Sequence, residues 1–270
     1  MRVFTLSDIH VDYSVNARWI EKLSTSEYRD DLLILAGDVS DSLRLLEWSL
    51  TTLAARFKQV LYVPGNHDLW VIRDGEQRTS LEKFDQVSRV AEQSGASMQP
   101  FHYRDLSIIP LLGWYDYSFG QPGSELRRHW MDYRACRWPD GFEESQVATY
   151  FESLNNPNPG VVGGTCITFS HFLPRIDLMP EYIPKEKRIL YPVLGSARLD
   201  EKIRALKPKI HVYGHSHVNR RIQIDGITYV NNAFGYPRET SITSKQLLCI
   251  HPPPVPARVP VGKAAIAHEV

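Results

Sequence analysis

The sequence predicts an α/β fold in which strands and helices alternate, and three observations indicate it. Short apolar, β-branched runs such as Val3–Leu6 and Leu32–Ala36 are each followed by polar or glycine-containing segments, which is typical of buried strands. Stretches with helical periodicity lie between the runs at spacings that suit β-α-β units. The chain has 270 residues, 43% of them hydrophobic, which is enough for one large core. We therefore expect a single domain over residues 1–250.

The elements can be assigned in order along the chain. Strands are expected at Val3–Leu6, Leu32–Ala36, 60–63, 106–112, 167–169 and Ile210–Tyr213, and helices at 19–23, 43–57, 81–94 and 199–206. Residues 222–224 and 227–230 are joined by Asp225-Gly226, a pair that favours a tight hairpin turn. The Asn-, Pro- and Gly-rich stretch 155–164 predicts a turn, and the Pro-rich residues 251–270 predict a mobile C-terminal tail.

Charge and composition exclude several classes of protein. Lys plus Arg and Asp plus Glu both number 31, so no overall field attracts the chain to nucleic acid or to an acidic membrane surface. No apolar stretch approaches membrane-spanning length, and the first strand begins almost at the N-terminus, so we expect a cytoplasmic protein without a membrane partner. Cys136, Cys166 and Cys249 form no paired motif, and we expect them to be reduced.

Five polar segments follow the predicted strands and carry the chemistry. They are Asp8-Ile9-His10, Gly37-Asp38, Gly65-Asn66-His67-Asp68, His171 and Gly214-His215-Ser216-His217. In open α/β sheets, ligands bind beyond the carboxyl ends of the strands, so segments far apart in sequence can meet there. We therefore expect these segments to form one site.

The residue types in these segments are those of a metal site. Asp8 and His10 are separated by one residue, which places both side chains on the same side of an extended segment, and His215 and His217 have the same spacing. Carboxylate, amide and imidazole ligands without any thiolate suit Mn, Fe, Zn or Co rather than a structural cysteine cluster. The glycines of the segments allow tight turns that bring the ligand-bearing backbone close to the ions.

In this order, the segments resemble the calcineurin-like metallophosphoesterase superfamily, whose pattern is Asp-x-His, Gly-Asp, Gly-Asn-His-Asp/Glu, His and Gly-His-x-His. The resemblance extends from Asp8 to His217. It implies a four-layer α/β/β/α sandwich of two mixed β-sheets flanked by helices. It also implies two metal ions that share Asp38. One would be held by Asp8, His10, Asp38 and His217, and the other by Asp38, Asn66, His171 and His215.

The resemblance implies hydrolysis of a phosphate ester. Two metals about 4 Å apart can acidify a shared water into a bridging hydroxide and neutralise phosphoryl oxygens. His67 would donate a proton to the leaving oxygen or stabilise its charge, and Asp68 would orient the His67 imidazole. The leading hypothesis is therefore a metal-dependent hydrolase of phosphomonoesters or phosphodiesters, with a small-molecule or nucleotide substrate.

The segment 101–160 breaks the regular alternation and is a candidate cap insertion. Aromatic residues crowd its middle, from Trp114 to Phe151, interleaved with Arg127, Arg128, Arg134 and Arg137. One interpretation is a cap that stacks an organic leaving group while guanidinium groups contact phosphate. The other is a packed aromatic insertion with solvated arginines, and the sequence leaves both open.

Departures from the superfamily pattern narrow the substrate. Serine/threonine protein phosphatases carry phosphate-clamping arginines where this chain has Ser42 and Pro64, and they have Glu where this chain has Asp68. These differences argue against protein dephosphorylation by that mechanism. A DNA-repair-type nuclease is disfavoured by the neutral charge, and a noncatalytic scaffold by the presence of His67 and all seven candidate ligands. His211 is expected to be a core or supporting histidine rather than a ligand.

Overall fold

Eleven strands form two sheets in the computed structural model, which describes residues 1–74 and 78–252. The strands are β1 (Val3–Leu6), β2 (Leu32–Ala36), β3 (Gln59–Val63), β4 (Ala96–Ser97), β5 (Phe101–Tyr103), β6 (Leu106–Pro110), β7 (Thr165–Phe169), β8 (Ile210–Tyr213), β9 (Arg220–Ile224), β10 (Ile227–Asn231) and β11 (Leu248–His251). The α-helices of the same residues are α1 (Ser14–Glu21), α2 (Leu43–Ala54), α3 (Ser80–Gln93), α4 (Ser124–His129), α5 (Asp132–Ala135), α6 (Glu144–Ser153) and α7 (Ala197–Leu206).

Both sheets are mixed. The first has the order β11-β1-β2-β3-β4, in which β11 is antiparallel to β1 and the other neighbours are parallel. The second has the order β5-β6-β7-β8-β10-β9, in which the two outer pairs are antiparallel and the inner pairs are parallel. The parallel strands carry their carboxyl ends to one edge of each sheet, where the polar segments begin.

The two sheets pack face to face and are covered by helices. Alternate residues of β2, Leu32, Ile34 and Ala36, face the second sheet, while Leu33 and Leu35 face the helices. The outer face of the first sheet packs against α1, α2 and α3, and the outer face of the second packs against α7. The four-layer α/β/β/α sandwich expected from the sequence is therefore confirmed.

Local signals explain most element boundaries. Thr79 and Glu82 form a capping box at the start of α3, which begins one residue before its predicted position. Asp225 and Gly226 both have positive φ angles, as a tight hairpin turn between β9 and β10 requires. Helix α1 begins five residues earlier than expected, because its first turn contains the buried Asn16, whose polar side chain interrupts the apolar period.

The segment 101–160 begins within the second sheet, and the insertion starts after it. Its residues 101–103 and 106–110 are β5 and β6 of the second sheet, so the insertion occupies the connection between β6 and β7 and contains α4, α5 and α6. Trp114 and Phe151 are fully buried in it and pack in the same core as Phe84 of α3. In the predicted tail, 251–270, His251 belongs to β11, and residues 253–270 lie outside the described part of the chain.

Candidate metal centre

The seven predicted ligands converge at the carboxyl ends of five strands. They follow β1, β2, β3, β7 and β8, and all seven side chains are buried. Their donor atoms form two adjacent sets. The first donor group is Asp8, His10, Asp38 and His217, and the second donor group is Asp38, Asn66, His171 and His215.

The first donor group brings two imidazoles and two carboxylates together. The Nε2 atoms of His10 and His217 lie 3.1 Å apart, and His217 Nε2 lies 3.3 Å from Asp8 Oδ1. Asp38 Oδ2 lies 4.0 Å from His10 Nε2. All four ligand atoms are within 4.8 Å of one another, which is close enough for one ion to contact them together.

The second donor group has one carboxylate, one amide and two imidazoles. His171 Nε2 lies 3.1 Å from His215 Nδ1, 3.1 Å from Asn66 Oδ1 and 3.5 Å from Asp38 Oδ1. Asp38 therefore turns Oδ2 towards the first group and Oδ1 towards the second. This division of one carboxylate between two sets is the geometry of a bridging ligand.

The hydrogen bonds of the imidazoles fix which nitrogen faces each group. His171 Nδ1 donates to the Ala36 carbonyl at 2.9 Å, and His215 Nε2 donates to the Val193 carbonyl at 3.0 Å. His217 Nδ1 donates to Glu239 Oε2 at 2.7 Å. The rings of His171 and His215 thus use their N–H groups outside the site and present the other nitrogen, with its lone pair, to the second donor group, while His217 directs Nε2 towards the first.

Burial shifts the pKa values of the ligands in both donor groups. Burial, with neighbouring Asp8 and Asp68, raises the pKa of Asp38 well above its usual range. Burial also lowers the pKa values of His10, His171 and His215, which keeps their imidazoles neutral and able to bind a cation. The site contains nitrogen and oxygen donors without thiolate, so its chemistry fits Mn, Fe, Zn or Co.

The backbone of the ligand segments is unusual. Asp8, His10, Asp38, His215 and His217 all have φ between +43° and +65°, the left-handed region that non-glycine residues seldom adopt. Strain of this kind persists where the surrounding structure holds the backbone in place, and it is concentrated at functional sites.

Two glycines allow the segments that follow β2 and β3 to lie close to His171. A Cβ atom on Gly65 would collide with Asp38 Oδ1 and lie 2.7 Å from His171 Nε2. Gly37 has φ +85°, and a Cβ there would lie 2.5 Å from His171 Nδ1. The predicted role of these two glycines therefore agrees with the structure.

Asp68 contacts the backbone of the site and not the imidazole of His67. Its Oδ1 accepts from the N–H groups of Val39 and Ser40, and its Oδ2 from those of Asp38 and Gly65, at 2.8–2.9 Å. Among the described contacts, none joins its carboxylate to His67. The expectation that Asp68 orients this imidazole is corrected here, because both carboxylate oxygens are already used to join the Gly-Asp and Gly-Asn-His-Asp segments.

His67 lies at the mouth of the site. Its Nε2 is 3.9 Å from Asp38 Oδ2, and its backbone N–H donates to Asp38 Oδ1 at 2.9 Å. The ring stacks on Trp70, with 3.6 Å between the ring centroids, and its side chain is 18% exposed. Burial and the nearby His217 lower the pKa of His67 to about 3. His67 is therefore placed to meet a molecule that enters from solvent.

Sequence reasoning missed Asp132, which the insertion places behind the second donor group. Its Oδ1 accepts from Asn66 Nδ2 at 2.8 Å and from Trp70 Nε1 at 2.7 Å, and its Oδ2 accepts from Trp130 Nε1 at 2.8 Å. By holding the NH₂ group of Asn66, Asp132 turns the amide oxygen towards His171. No motif marks this residue in the sequence, since it lies in the irregular aromatic region.

Two further residues were missed, in the loop that follows β10. Glu239 accepts from His217, and the ring of Tyr236 lies 4.5 Å from that of His10. The rule that ligands gather beyond strand ends could have drawn attention to this loop, because β10 is parallel to β8 and ends at the same edge.

His211 has the supporting position expected of it. It is fully buried, 2.8 Å from Thr168 Oγ1 and 3.2 Å from Ser170 Oγ. The Ser170 hydroxyl donates to the Phe172 carbonyl, so His211 Nε2 donates to Ser170, and His211 Nδ1 accepts from Thr168. These bonds join β7 to β8, the strands that precede His171 and His215 of the second donor group.

The structure combines features of the two interpretations of the aromatic segment. Trp114 and Phe151 are core residues, as a packed insertion requires, while Trp130 reaches the site and lies 5.8 Å from the ring of His215. Arg127, Arg128, Arg134 and Arg137 are exposed.

The three cysteines are free thiols. No helix within residues 1–74 and 78–252 is long and apolar enough to cross a membrane.

Comparisons with known proteins agree with this geometry. The chain is 27% identical over 267 residues to the [acyl-carrier-protein] phosphodiesterase PptH of Mycobacterium tuberculosis, a match that covers 88% of this chain and 78% of that protein. The crystal structure of phosphopantetheinyl hydrolase (PptH) from the same organism is similar in fold, with a TM-score of 0.73, 22% identity and coverage of 94% of this chain and 96% of that one. The family model for calcineurin-like phosphoesterases matches residues 1–219. The chain belongs to the calcineurin-like phosphoesterase family, whose members are metal-dependent phosphoric ester hydrolases.

Proposed function

We propose that this protein is a phosphodiesterase that cleaves a protein-bound phosphopantetheine arm from a carrier protein. The observation that carries the proposal is the pair of buried donor groups that share Asp38, with His67 beside them at the mouth of the site. The substrate class is supported by the 27% identity to a relative whose name describes an acyl-carrier-protein phosphodiesterase. The sequence features alone predict a small-molecule or nucleotide ester, and this proposal replaces that substrate with a protein-bound one.

Metal ions bound at the two donor groups would neutralise phosphoryl oxygens and acidify a water for attack. The residues of the chain then divide the remaining work. Asp38 keeps the two groups adjacent, and Asp68 fixes the two ligand-bearing turns through four backbone N–H groups. His67, held against Trp70 and directed towards Asp38, donates a hydrogen bond from its neutral imidazole to the oxygen that departs and so stabilises the charge that forms there.

The rim of the site suits an organic arm. Trp70, Trp130 and Tyr236 are half-buried and surround the donor groups, where they contact His67, His215 and His10. Their ring faces provide apolar surface next to the charged centre, and such surfaces hold the non-reacting part of a ligand. The exposed arginines of the insertion lie on the same segment as Trp130, where a protein that carries the arm would approach.

The test is a direct assay of the metal-loaded protein. It is incubated with a carrier protein bearing phosphopantetheine, and intact-mass measurement follows loss of the arm. Bis(p-nitrophenyl) phosphate, p-nitrophenyl phosphate and a cyclic nucleotide serve as comparison substrates. We expect the carrier protein to lose the arm, and Asp38→Asn to abolish the loss while the exposed Asp85→Asn retains it.

Two results would contradict the proposal in different ways. Turnover of the comparison diesters without any loss of the arm would overturn the substrate class and leave the hydrolytic centre intact. Stoichiometric metal binding with no turnover of any ester would instead favour a noncatalytic role.

A further inference from the structure

Tyr236 lies over the first donor group without belonging to it. Its ring centroid is 4.5 Å from that of His10 and 4.9 Å from that of His217. Its hydroxyl oxygen is 3.4 Å from Nε2 of His67, the nitrogen that faces Asp38. The hydroxyl therefore stands next to the one predicted catalytic imidazole, on the side from which a phosphate ester would enter.

The loop that carries Tyr236 is fixed to the metal centre. The Tyr236 N–H group donates to Glu239 Oε2 at 2.8 Å, and the same oxygen accepts from His217. Lys245 Nζ donates to the carbonyls of Gly235 and Tyr236 at 3.1 and 2.9 Å. The N–H group of Gly235 donates to the Asp8 carbonyl at 2.8 Å. The position of the phenol is thus set by the same residues that position the ligands.

The chemistry of this phenol is that of a fixed neutral donor. A tyrosine hydroxyl has an ordinary pKa of about 10, so it carries its proton at neutral pH and can donate it in a hydrogen bond. The partner that it has in this structure, His67 Nε2, is at the long end of hydrogen-bond distance. An anionic oxygen placed between the donor groups and the rim would be a strong acceptor for the phenol hydroxyl.

We propose that the Tyr236 hydroxyl donates a hydrogen bond to a nonbridging phosphoryl oxygen of the substrate, while His67 acts on the departing oxygen. No proton is transferred by Tyr236, so the step changes charge distribution only. The inference rests on the proposed hydrolytic function, and it assigns a catalytic residue outside the predicted motifs. A donor aimed at charge that grows in the transition state lowers the barrier more than it strengthens substrate binding.

The test compares Tyr236→Phe with Tyr13→Phe. Phenylalanine keeps the ring contacts with His10 and His217 and removes only the hydroxyl. Tyr13 is a matched control, since it is 45% exposed and its ring packs 5.7 Å from that of Tyr236. We expect Tyr236→Phe to lower kcat by about 10- to 100-fold, the effect of one hydrogen bond to a charged group, with a small change in KM. Metal content should be unchanged, and Tyr13→Phe should behave as the parent.

A second measurement does not depend on turnover. Inorganic phosphate is titrated calorimetrically into the metal-loaded parent and both variants, and Tyr236→Phe should bind it about 10-fold more weakly. If the parent binds phosphate but cleaves no ester, the proposed function fails, and this affinity difference alone judges the role of Tyr236.

Three results would overturn the inference. One is a Tyr236→Phe protein with the parent's kcat and phosphate affinity. Another is loss of metal from Tyr236→Phe, which would make the hydroxyl structural. The third is a kcat defect that grows with the pKa of the leaving alcohol across a series of aryl and alkyl phosphodiesters, which would place the hydroxyl at the departing oxygen instead.

Discussion

The two donor groups share one carboxylate but are supported by different parts of the molecule. The first group is supported by Glu239, in the loop that follows β10, and by the Ser7 hydroxyl, which donates to Asp8. The second group is supported by the Val193 carbonyl and by Asp132, both of which lie in long connections outside the sheets. Outside the sheets, the first group therefore depends on the loop that follows β10, and the second depends on the insertion and on the connection between β7 and β8.

The two groups also differ in charge. Although burial alone would lower it, Asp8 and Glu239 raise the pKa of His217 to about 10, which reflects the negative surroundings of the first group. The second group contains two neutral imidazoles and an amide, with Asp38 as its carboxylate. Because a cation is attracted by carboxylates, we expect metal to fill the first group before the second.

The largest effect is expected from removing the ligand that the groups share. Asp38→Asn takes the bridging charge from both, so neither should retain metal at micromolar concentrations. Turnover should fall by about 10³-fold or more, because several kcal/mol of metal-supplied charge stabilisation are lost. Elemental analysis and steady-state kinetics measure both effects, with Asp85→Asn as the control on the protein surface. Retention of one full equivalent of tightly bound metal would mean that Asp38 serves one group alone.

The separate support of the two donor groups can be tested by removing one supporting carboxylate at a time. Asp132→Ala frees the amide of Asn66 and should weaken metal binding at the second group by about 10- to 100-fold. Glu239→Ala should do the same at the first group through His217. A calorimetric metal titration resolves the two binding steps, and thermal unfolding of each variant verifies the fold. Equal weakening of both steps by both variants would contradict the separate support of the groups.

Acid should lower the stability of the folded protein through His211, which joins β7 to β8. Burial lowers the pKa of His211 from 6.5 to about 3, so the folded protein binds fewer protons there than the unfolded chain between these values. Stability from this residue is complete above pH 6.5 and is lost as the pH falls, by roughly 1.4 kcal/mol per pH unit.

The measurement is urea unfolding of the metal-free protein between pH 7 and pH 4, for the parent and His211→Gln. Glutamine keeps a donor and an acceptor for Thr168 and Ser170 but does not titrate. We expect a shallower acid dependence in the variant by about one proton. The same dependence in both proteins would show that His211 is not held neutral by the fold.

The smallest effect is expected from one hydrogen bond to Asp132. Trp130→Phe removes the indole N–H group, while most of the ring surface next to His215 remains. Loss of about 1 kcal/mol should weaken metal binding at the second group by roughly fivefold and leave the first group unchanged. The two-step metal titration detects this difference. Weaker metal binding at the first group would show that the insertion supports both donor groups.

Much of the fold was predictable because its signals are local. The buried strands of the first sheet, the hairpin turn at Asp225-Gly226 and helix α3 with its capping box all follow from residues adjacent in sequence. Because ligands bind beyond the carboxyl ends of strands in open α/β sheets, the seven ligands were then predicted to meet at one edge. Helices α4, α5 and α6 were missed because the aromatic residues around them pack from several directions and leave no single apolar period.

The supporting contacts were not predictable for a different reason. Asp132 and Asn66 are separated by 66 residues, and Glu239 and His217 by 22, and no motif spacing connects either pair. For Asp68 the motif was informative but its role was not, because four backbone N–H groups compete for the carboxylate that was expected to meet His67. Such contacts depend on tertiary packing, which places the insertion and the loop that follows β10 against the site.

The most direct test of two adjacent ions joined by Asp38 is anomalous diffraction from crystals of the manganese-loaded protein. We expect two peaks about 4 Å apart, one at each donor group, with one oxygen of Asp38 or both in contact with the two ions. A single peak, or two peaks of which one lies away from Asp38, would contradict the shared centre.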